Sequence, residues 1–343
     1  MFEFFVGGAA EICGSSTEFQ GGFVLGTVSE FGIRAFAKPN GTDNIHIESE
    51  DFGNFDIEIG DTEPRADEAE TFSALVRGIM NGFIESGNIF GGFDAKISSE
   101  IPAESGISAA ATFEVLIGKI ISTLFFENSV PALRLAQFGQ LAESDYYGRP
   151  CGLSKQLISA VGKTALLDFS DSEIPRFCEL DFDFSKSGLA LALIKSSGEP
   201  SDSFEKEMDI QKDLALVSWN MGHNFLSEAD EAEFIAQFPI LRQKCGEKAV
   251  LRGLRFFEES RRAQEMAEAL ETCDFSGFLA LCKKSAESSE EKPAALSFIQ
   301  NLLGESGAAI GFSKNVLAFV FEENLAEFVE KAEKQGFGVM FLL

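Results

Sequence analysis

Histidine is almost missing from this chain of 343 residues, since only His46 and His223 are present. A Ser-His-Asp triad or a metal centre with several histidines is therefore nearly excluded by counting alone. The 6 cysteines are far apart and none forms a C-x-x-C pair. Neither a zinc site nor a disulfide framework is indicated, and buried free thiols are expected.

Positive charge is also scarce. The chain carries 28 Lys and Arg against 55 Asp and Glu, which gives a formal net charge of -27. A surface this acidic repels phosphate backbones, so nucleic acid is not an expected partner. Solubility is the simplest interpretation of the acidic residues. A salt-adapted host is less favoured, because 36 Phe is a larger number of bulky apolar residues than salt adaptation favours.

Long apolar runs are a third absence, because no uninterrupted run reaches the roughly 18 residues of a membrane helix. The first ten residues, MFEFFVGGAA, have no basic residue ahead of the apolar stretch, so they make a poor signal peptide. The sequence therefore predicts a cytoplasmic protein without a membrane partner, as a monomer or weak oligomer.

Strand and helix patterns alternate without βαβ regularity. Residues 22–60 have short apolar and polar pieces that predict an antiparallel meander, and helices are predicted at 66–86, 107–126, 131–146, 251–271 and 274–286. Asp274 is a predicted helix cap, and the acidic stretch 285–293 is a predicted loop. The mixture predicts an α+β fold with two lobes, one over residues 1–185 and one over 186–343.

The segment IPAESGISAAATFEV, residues 101–115, carries the most information about chemistry. A strand pattern ends at Pro102, a turn of small residues follows, and a helix is predicted from Ile107. Small residues let backbone N–H groups approach an anion at a helix N-terminus. Taken alone, an ordinary tight turn into a buried helix explains it better, and the GxGxxG and GxxxxGK[ST] patterns are absent.

Three segments in the correct order resemble the galactokinase branch of the GHMP small-molecule kinases. Residues 102–111 resemble the family phosphate loop P-x-G-x-G-L-S-S-S-A, and residues 142–156 resemble A-E-x-x-x-x-G-x-x-C-G-I-M-D-Q. Residues 12–25, ICGSSTEFQGGFVL, resemble the galactokinase signature G-R-V-N-L-I-G-E-H-T-D-Y-N-G-G. The resemblance covers most of the chain, and it is strong in the first 170 residues.

The resemblance implies a two-lobed GHMP kinase fold with the nucleotide and sugar cleft between the lobes. It also implies ATP-dependent phosphorylation of galactose at its anomeric hydroxyl, with Mg²⁺, so that a nucleotide and a small sugar are the expected partners. Glu143 and Ser108 match metal ligands. The sugar-binding positions are Ser15, Ser16, Glu18 and Gly152, and the nucleotide-binding positions are Pro102, Glu104, Ser105, Gly106, Ile107, Ser108 and Ala109.

Several family residues are replaced. Lys155 stands where the family has the Asp that acts as base or orienting group, and Ala9 aligns with an Arg that stabilises the transferred phosphoryl group. Glu104 stands where a glycine is usual. Ala109 and Ala110 replace two loop serines, which weakens the case for Mg²⁺, and Ser313 and Lys314 replace two glycines of a third motif.

Two hypotheses follow from these replacements. One is a sugar kinase with impaired or altered catalysis, or with a different substrate. The other is a catalytically silent nucleotide- and sugar-binding protein or sensor. A protonated Lys155 cannot accept a proton, so the residues favour the second hypothesis.

Overall fold

The computed structural model describes residues 1–171, 174–196, 203–290 and 292–343. The chain divides into two compact units. The first contains residues 1–10, 27–103 and 107–163, and the second contains 11–26, 104–106 and 164–343. The lobe boundary near residue 185 stays a prediction, as does the cleft.

The first unit combines a sheet with four helices. Its strands and helices are β1 (Phe2–Cys13), β2 (Phe23–Pro39), β3 (Asn44–Glu48), β4 (Phe55–Glu58), α1 (Phe72–Glu85), β5 (Phe93–Ser99), α2 (Ala109–Phe126), α3 (Ala132–Leu141) and α4 (Ser154–Val161). The last residues of β1 and the first residues of β2 belong to the second unit. A π-helical turn, Ala142–Tyr147, follows α3 directly.

The predicted antiparallel meander at 22–60 is wrong in its pairing. The sheet order is β4-β3-β5-β2, with β1 paired to β2. β3 pairs antiparallel with β4 but parallel with β5. After β4 the chain passes through α1, so that β5 can insert between β2 and β3. A crossover helix of this kind is what a parallel pair requires.

Helix α2 is the central helix of the first unit, with 18 residues that are apolar on most sides. It is long and apolar enough to cross a membrane by length and composition alone, and 61% of it is buried inside the protein. Glu114 and Lys119 interrupt its apolar residues, so it is not the uninterrupted apolar run that the sequence analysis considered. The buried fraction is what a core helix has, and the ring of Phe113 packs 4.9 Å from that of Phe72 and 5.0 Å from that of Phe52.

The second unit is richer in helix. Its further elements are β6 (Ala165–Asp168), β7 (Arg176–Glu179), α5 (Phe184–Ser187), β8 (Leu189–Lys195), α6 (Ser203–Met221), α7 (Glu231–Cys245), α8 (Glu247–Glu271), α9 (Phe275–Ser288), α10 (Leu296–Leu303), β9 (Gly307–Phe312), β10 (Asn315–Phe321), α11 (Glu322–Lys334) and β11 (Gly338–Phe341). A four-stranded sheet has the order β11-β8-β10-β9. The first residues of β2 pair with β6, which pairs with β7.

The helix cap predicted at Asp274 is confirmed, because its side chain accepts a hydrogen bond from the backbone N–H of Gly277 at 2.9 Å. The acidic loop predicted at 285–293 is corrected in part, since α9 continues to Ser288. Residue 291 lies outside the described residues. Ser285, on the buried face of α9, donates a hydrogen bond to Glu259 at 3.0 Å.

Candidate functional site

The start of α2 is fixed by its own side chains. Ser108 is the N-cap, and its hydroxyl oxygen accepts a hydrogen bond from the backbone N–H of Ala111 at 3.1 Å. The Thr112 hydroxyl donates to the carbonyl of Ser108 at 2.6 Å. Next to the cap, Ile107 packs so closely on Gly8 that a Cβ at position 8 would lie 2.1 Å from its Cγ2. Only glycine fits at position 8.

Residues 104–106, which belong to the second unit, contact the turn between β9 and β10. The Asn315 side-chain amide donates to the carbonyls of Glu104 at 2.7 Å and Ser105 at 3.1 Å. The ammonium of Lys314 contacts the Glu104 carboxylate at 2.6 Å. Glu104 has a φ of 57° and Gly106 a φ of 89°, both in the left-handed region that favours glycine. The loop backbone is therefore held in an unusual shape by one buried asparagine.

A pair of buried carboxyl groups lies in the first unit. The side-chain amide of Gln156, on α4, donates to Glu143 at 2.8 Å and to Glu114, on α2, at 3.1 Å. Burial raises the pKa of Glu114 well above its ordinary value, and the nearby charge of Glu143 raises it further. Burial also raises the pKa of Glu143. Two buried carboxyl groups that share one hydrogen-bond donor favour a state in which one of them is protonated.

Lys155 lies one residue before Gln156, in the first turn of α4. Its positive charge acts on Glu143 and lowers the pKa of that carboxyl group, against the rise that burial causes. The next residue, Gln156, bonds to Glu114, so α4 packs against the first half of α2. Gly152, a predicted sugar-binding residue, lies in the turn just before α4.

Three buried polar atoms in this region have no hydrogen-bond partner: Glu114 Oε1, Gln156 Oε1 and Ser159 Oγ. An unpaired buried acceptor is costly, so a proton on Glu114 is the simplest way to relieve part of that cost. Glu114 is not among the site residues that the sequence motifs predict. The available signal was a single carboxylate in the apolar sequence of α2, where a charge is not expected without a partner.

The galactose-signature residues Ser15, Ser16 and Glu18 lie in the second unit, in the loop that joins β1 to β2. The hydroxyl of Thr17 shapes this loop, with the carbonyls of Gly14 and Phe23 both 2.8 Å away. A cavity of about 70 Å³ opens beside it, lined by Ser15, Ser16, Thr17, Ile210, Leu214, Arg252, Arg255, Phe256, Glu259 and Glu290.

Comparison with known proteins agrees with the motifs. Residues 74–163 match the N-terminal domain of GHMP kinases. The chain is 25% identical to a galactokinase of Clostridium tetani over 236 residues, which are 68% of this chain and 60% of that protein. It is 33% identical to a galactokinase of Lactococcus lactis over 172 residues, which are 48% of this chain and 42% of that protein. Residues 74–163 thus match a GHMP kinase N-terminal domain, and the chain is similar in sequence to galactokinases.

The fold of this chain agrees over nearly its full length with solved structures. The crystal structure of Lactococcus lactis galactokinase complexed with galactose matches with a TM-score of 0.83 and 22% identity, covering 99% of this chain and 92% of that one. The mevalonate kinase of Methanococcus jannaschii matches with a TM-score of 0.67 and 14% identity, covering 99% of this chain and 97% of that one. The sequence matches to the two galactokinases above span less than two thirds of those proteins.

Ala9, at the position that aligns with the family arginine, is only 2% exposed on β1. A guanidinium placed there needs room and hydrogen-bond partners, which a buried alanine site does not supply without movement of its neighbours. This position thus holds a small apolar side chain in a packed environment rather than a cation.

The residues that the resemblance assigns to Mg²⁺, Glu143 and Ser108, do not fit a magnesium site well. Mg²⁺ is bound by ionised oxygen ligands, but the pKa of Glu143 is raised by burial and Lys155 places a positive charge beside it. Ser108 already accepts the capping hydrogen bond of α2. Among the described residues no group of three or more His, Cys, Asp and Glu could hold a metal ion.

Proposed function

We propose that this galactokinase-like protein binds a nucleotide and a small sugar, and that its phosphoryl transfer from ATP to the anomeric hydroxyl of galactose is impaired. The observation that carries the proposal is Lys155, whose charge lies beside Glu143 where the family has a carboxylate. The fold and the three motifs support the ligand classes, and the replaced residues support the loss of rate.

The chemical reason lies in what a lysine can and cannot do. A protonated Lys155 holds an anion but accepts no proton, so it cannot serve as general base for the sugar hydroxyl. Loss of one proton-transfer group costs about 10²–10⁴-fold in rate. Ala9 removes a second contribution, because an arginine that stabilises the phosphoryl group is worth roughly 10³-fold or more. Such effects are not additive, yet either one makes turnover very slow.

A second candidate is an active sugar kinase in which Glu143 takes the role of base. Burial raises the pKa of Glu143, and a carboxyl group with a raised pKa is a better base near neutral pH than an ordinary one. In this case Glu143 acts on the sugar instead of on a metal ion.

Purified protein mixed with Mg-ATP and a panel of sugars, with release of ADP as the readout, separates the two candidates. We expect negligible ADP release with galactose. A turnover of about 1 per second or faster, within the common range for kinases, contradicts the main proposal. If Glu143→Gln then abolishes that turnover, the second candidate is supported.

Calorimetry with galactose tests the proposed sugar binding separately. Ser15, Ser16 and Glu18 offer fewer ionised acceptors than the Glu-His-x-Asp set that they align with, so we expect weak galactose binding. A dissociation constant of about 0.1 mM or lower, which corresponds to roughly -5.5 kcal/mol, contradicts this expectation.

A further inference from the structure

Glu104 and Lys314 lie 210 positions apart in the sequence, and both stand where the family motifs have glycine. In the structure the two replacements contact each other at 2.6 Å. The Lys314 side chain is only 14% exposed, whereas that of Glu104 is 61% exposed. The lysine is thus fixed in the protein while the glutamate reaches it from the solvent side.

The backbone around the pair is built to hold this contact. Asn315, which is 1% exposed, uses its side-chain oxygen to accept a hydrogen bond from the Ser196 N–H at 3.2 Å. Its amide group donates to the carbonyls of Glu104 and Ser105. Glu104 keeps a left-handed backbone that is unfavourable for a residue with a Cβ. These contacts hold Glu104 beside Lys314, and an ordinary turn does not require them.

The electrostatics of the loop favour an anion. The hydrogen bond from Lys314 lowers the pKa of Glu104, and the charge of Lys195 at the end of β8 lowers it as well. Two lysines therefore act on one carboxylate. A phosphate group carries more negative charge than a carboxylate and more acceptor oxygens, so it is the stronger partner for the same ammonium group.

We infer that Lys314 is a nucleotide-phosphate ligand of this protein and that Glu104 is a built-in competitor that occupies Lys314 when no nucleotide is bound. This inference rests on the nucleotide binding proposed above. Binding exchanges one ionic contact for another: the carboxylate of Glu104 moves into water, and a phosphate oxygen takes its place on the ammonium of Lys314. No covalent bond changes.

The test is calorimetry with ADP in the presence of EDTA, on the full chain and five variants. Glu104→Gln removes the competitor's charge and is expected to tighten ADP binding about fivefold. Lys314→Gln removes the charged hydrogen-bond donor and is expected to weaken binding about tenfold, which corresponds to roughly 1.4 kcal/mol. Lys314→Arg keeps the charge and is expected to retain most of the affinity.

The double variant, Glu104→Gln with Lys314→Gln, decides the mechanism. If Glu104 acts by occupying Lys314, removing Glu104 has no further effect once Lys314 is gone, and the double variant binds ADP as weakly as Lys314→Gln. If Glu104→Gln tightens binding equally in both backgrounds, Glu104 only repels the nucleotide and the inference is wrong. Lys331→Gln on α11, which removes the same charge from another ion pair, is the matched control and is expected to have no effect.

The failure of the inference and that of the proposed function give different results. Unchanged ADP affinity in Lys314→Gln, with binding by the unmodified protein, overturns the inference alone. No ADP binding by the unmodified protein or any variant overturns the nucleotide arm of the proposed function and the inference with it. Thermal unfolding of each variant confirms that the comparison is made on folded protein.

Discussion

At the scale of single residues, the chemistry of this protein depends on which groups near α4 carry a proton. Lys155 and the amide of Gln156 both act on Glu143, and Gln156 extends the contact to Glu114. A cation, an amide and two carboxyl groups with raised pKa values make a site suited to holding a charge. Under the main proposal they do not accept a proton from a sugar, because a lysine stands where the resemblance places the base.

Restoring the carboxylate tests this description. Lys155→Asp combined with Ala9→Arg returns the two groups that the resemblance implies, so ADP release with galactose is expected to rise above that of the unmodified protein. The gain is expected to fall short of the roughly 10²–10⁴-fold of one proton-transfer group, because Ala9 is buried and the arginine must be accommodated. Lys212→Asp, which makes the same charge change on the exposed face of α6, is the control. No increase in the double variant, with folding intact, contradicts the description.

The proton on Glu114 has a consequence for stability. Because burial raises the pKa of Glu114 in the folded state, the folded protein keeps a proton that the unfolded chain has lost above its ordinary carboxyl pKa. Stability is then full below the unfolded pKa and falls as the pH rises towards the folded pKa, by up to about 1.4 kcal/mol per pH unit for one proton.

Glu114→Gln removes this dependence, since an amide has the shape of the protonated acid and does not titrate. We expect the variant to lose less stability than the unmodified protein between pH 5 and pH 8, measured by chemical denaturation at each pH. Glu85→Gln, at an exposed position on α1, is the control and should leave the pH profile unchanged. Parallel profiles for the unmodified protein and Glu114→Gln contradict a protonated Glu114.

At the scale of secondary-structure elements, close packing of α1 places the π-helical turn that carries Glu143. A Cβ at Gly78, in the middle of α1, would lie 2.6 Å from the Cα of Ala142, the residue before Glu143. Glycine in a helix is unfavourable by propensity, so its presence here is explained by the close approach of the two segments.

Gly78→Ala is therefore expected to destabilise the protein by about 1–3 kcal/mol, the usual cost of overpacking, and to displace Glu143. Denaturant unfolding measures the first effect. Gly118→Ala on α2 is a matched control, because its new Cβ would meet only the side chain of Leu135, first at 3.1 Å. Its expected change is small, since the leucine can move and alanine is the better helix former. Equal effects of the two substitutions contradict the proposed role of the close approach.

The elements differ in how far the sequence could predict them. α2 and the cap at Asp274 follow from local patterns, and the structure has them at or near the predicted residues. The insertion of β5 between β2 and β3 does not follow from local patterns, since strand pairing depends on contacts far apart in the chain. The Glu104–Lys314 contact could not be predicted from the sequence for the same reason. Glu114 could have been predicted, because a lone carboxylate in an apolar helix is visible in the sequence.

At the scale of the whole molecule, the formal net charge of -27 sets the conditions for both stability and binding. Like charges repel in the compact state, and dissolved salt screens that repulsion. The same field opposes the approach of any nucleotide, which is itself an anion. A protein with this charge needs local cations to bind phosphate, and Lys314 and Lys155 are cations at the motifs that resemble the family's phosphate and catalytic segments.

Those two lysines lead to an expectation for nucleotide binding without metal. Because Lys155 places its charge beside Glu143, Mg²⁺ gains little from that carboxyl group, and in the proposed nucleotide site Lys314 supplies positive charge for the phosphate. The dissociation constant for ADP is therefore expected to differ by less than about threefold, or roughly 0.7 kcal/mol, between solutions that contain Mg²⁺ and solutions that contain EDTA. Calorimetry at constant ionic strength measures this dissociation constant, with Lys155→Asp as the comparison.

The Lys155→Asp variant places a carboxylate near Glu143 and is expected to make ADP binding depend on Mg²⁺. Strong dependence on Mg²⁺ in the unmodified protein shows instead that Glu143 still serves as a metal ligand despite the neighbouring lysine.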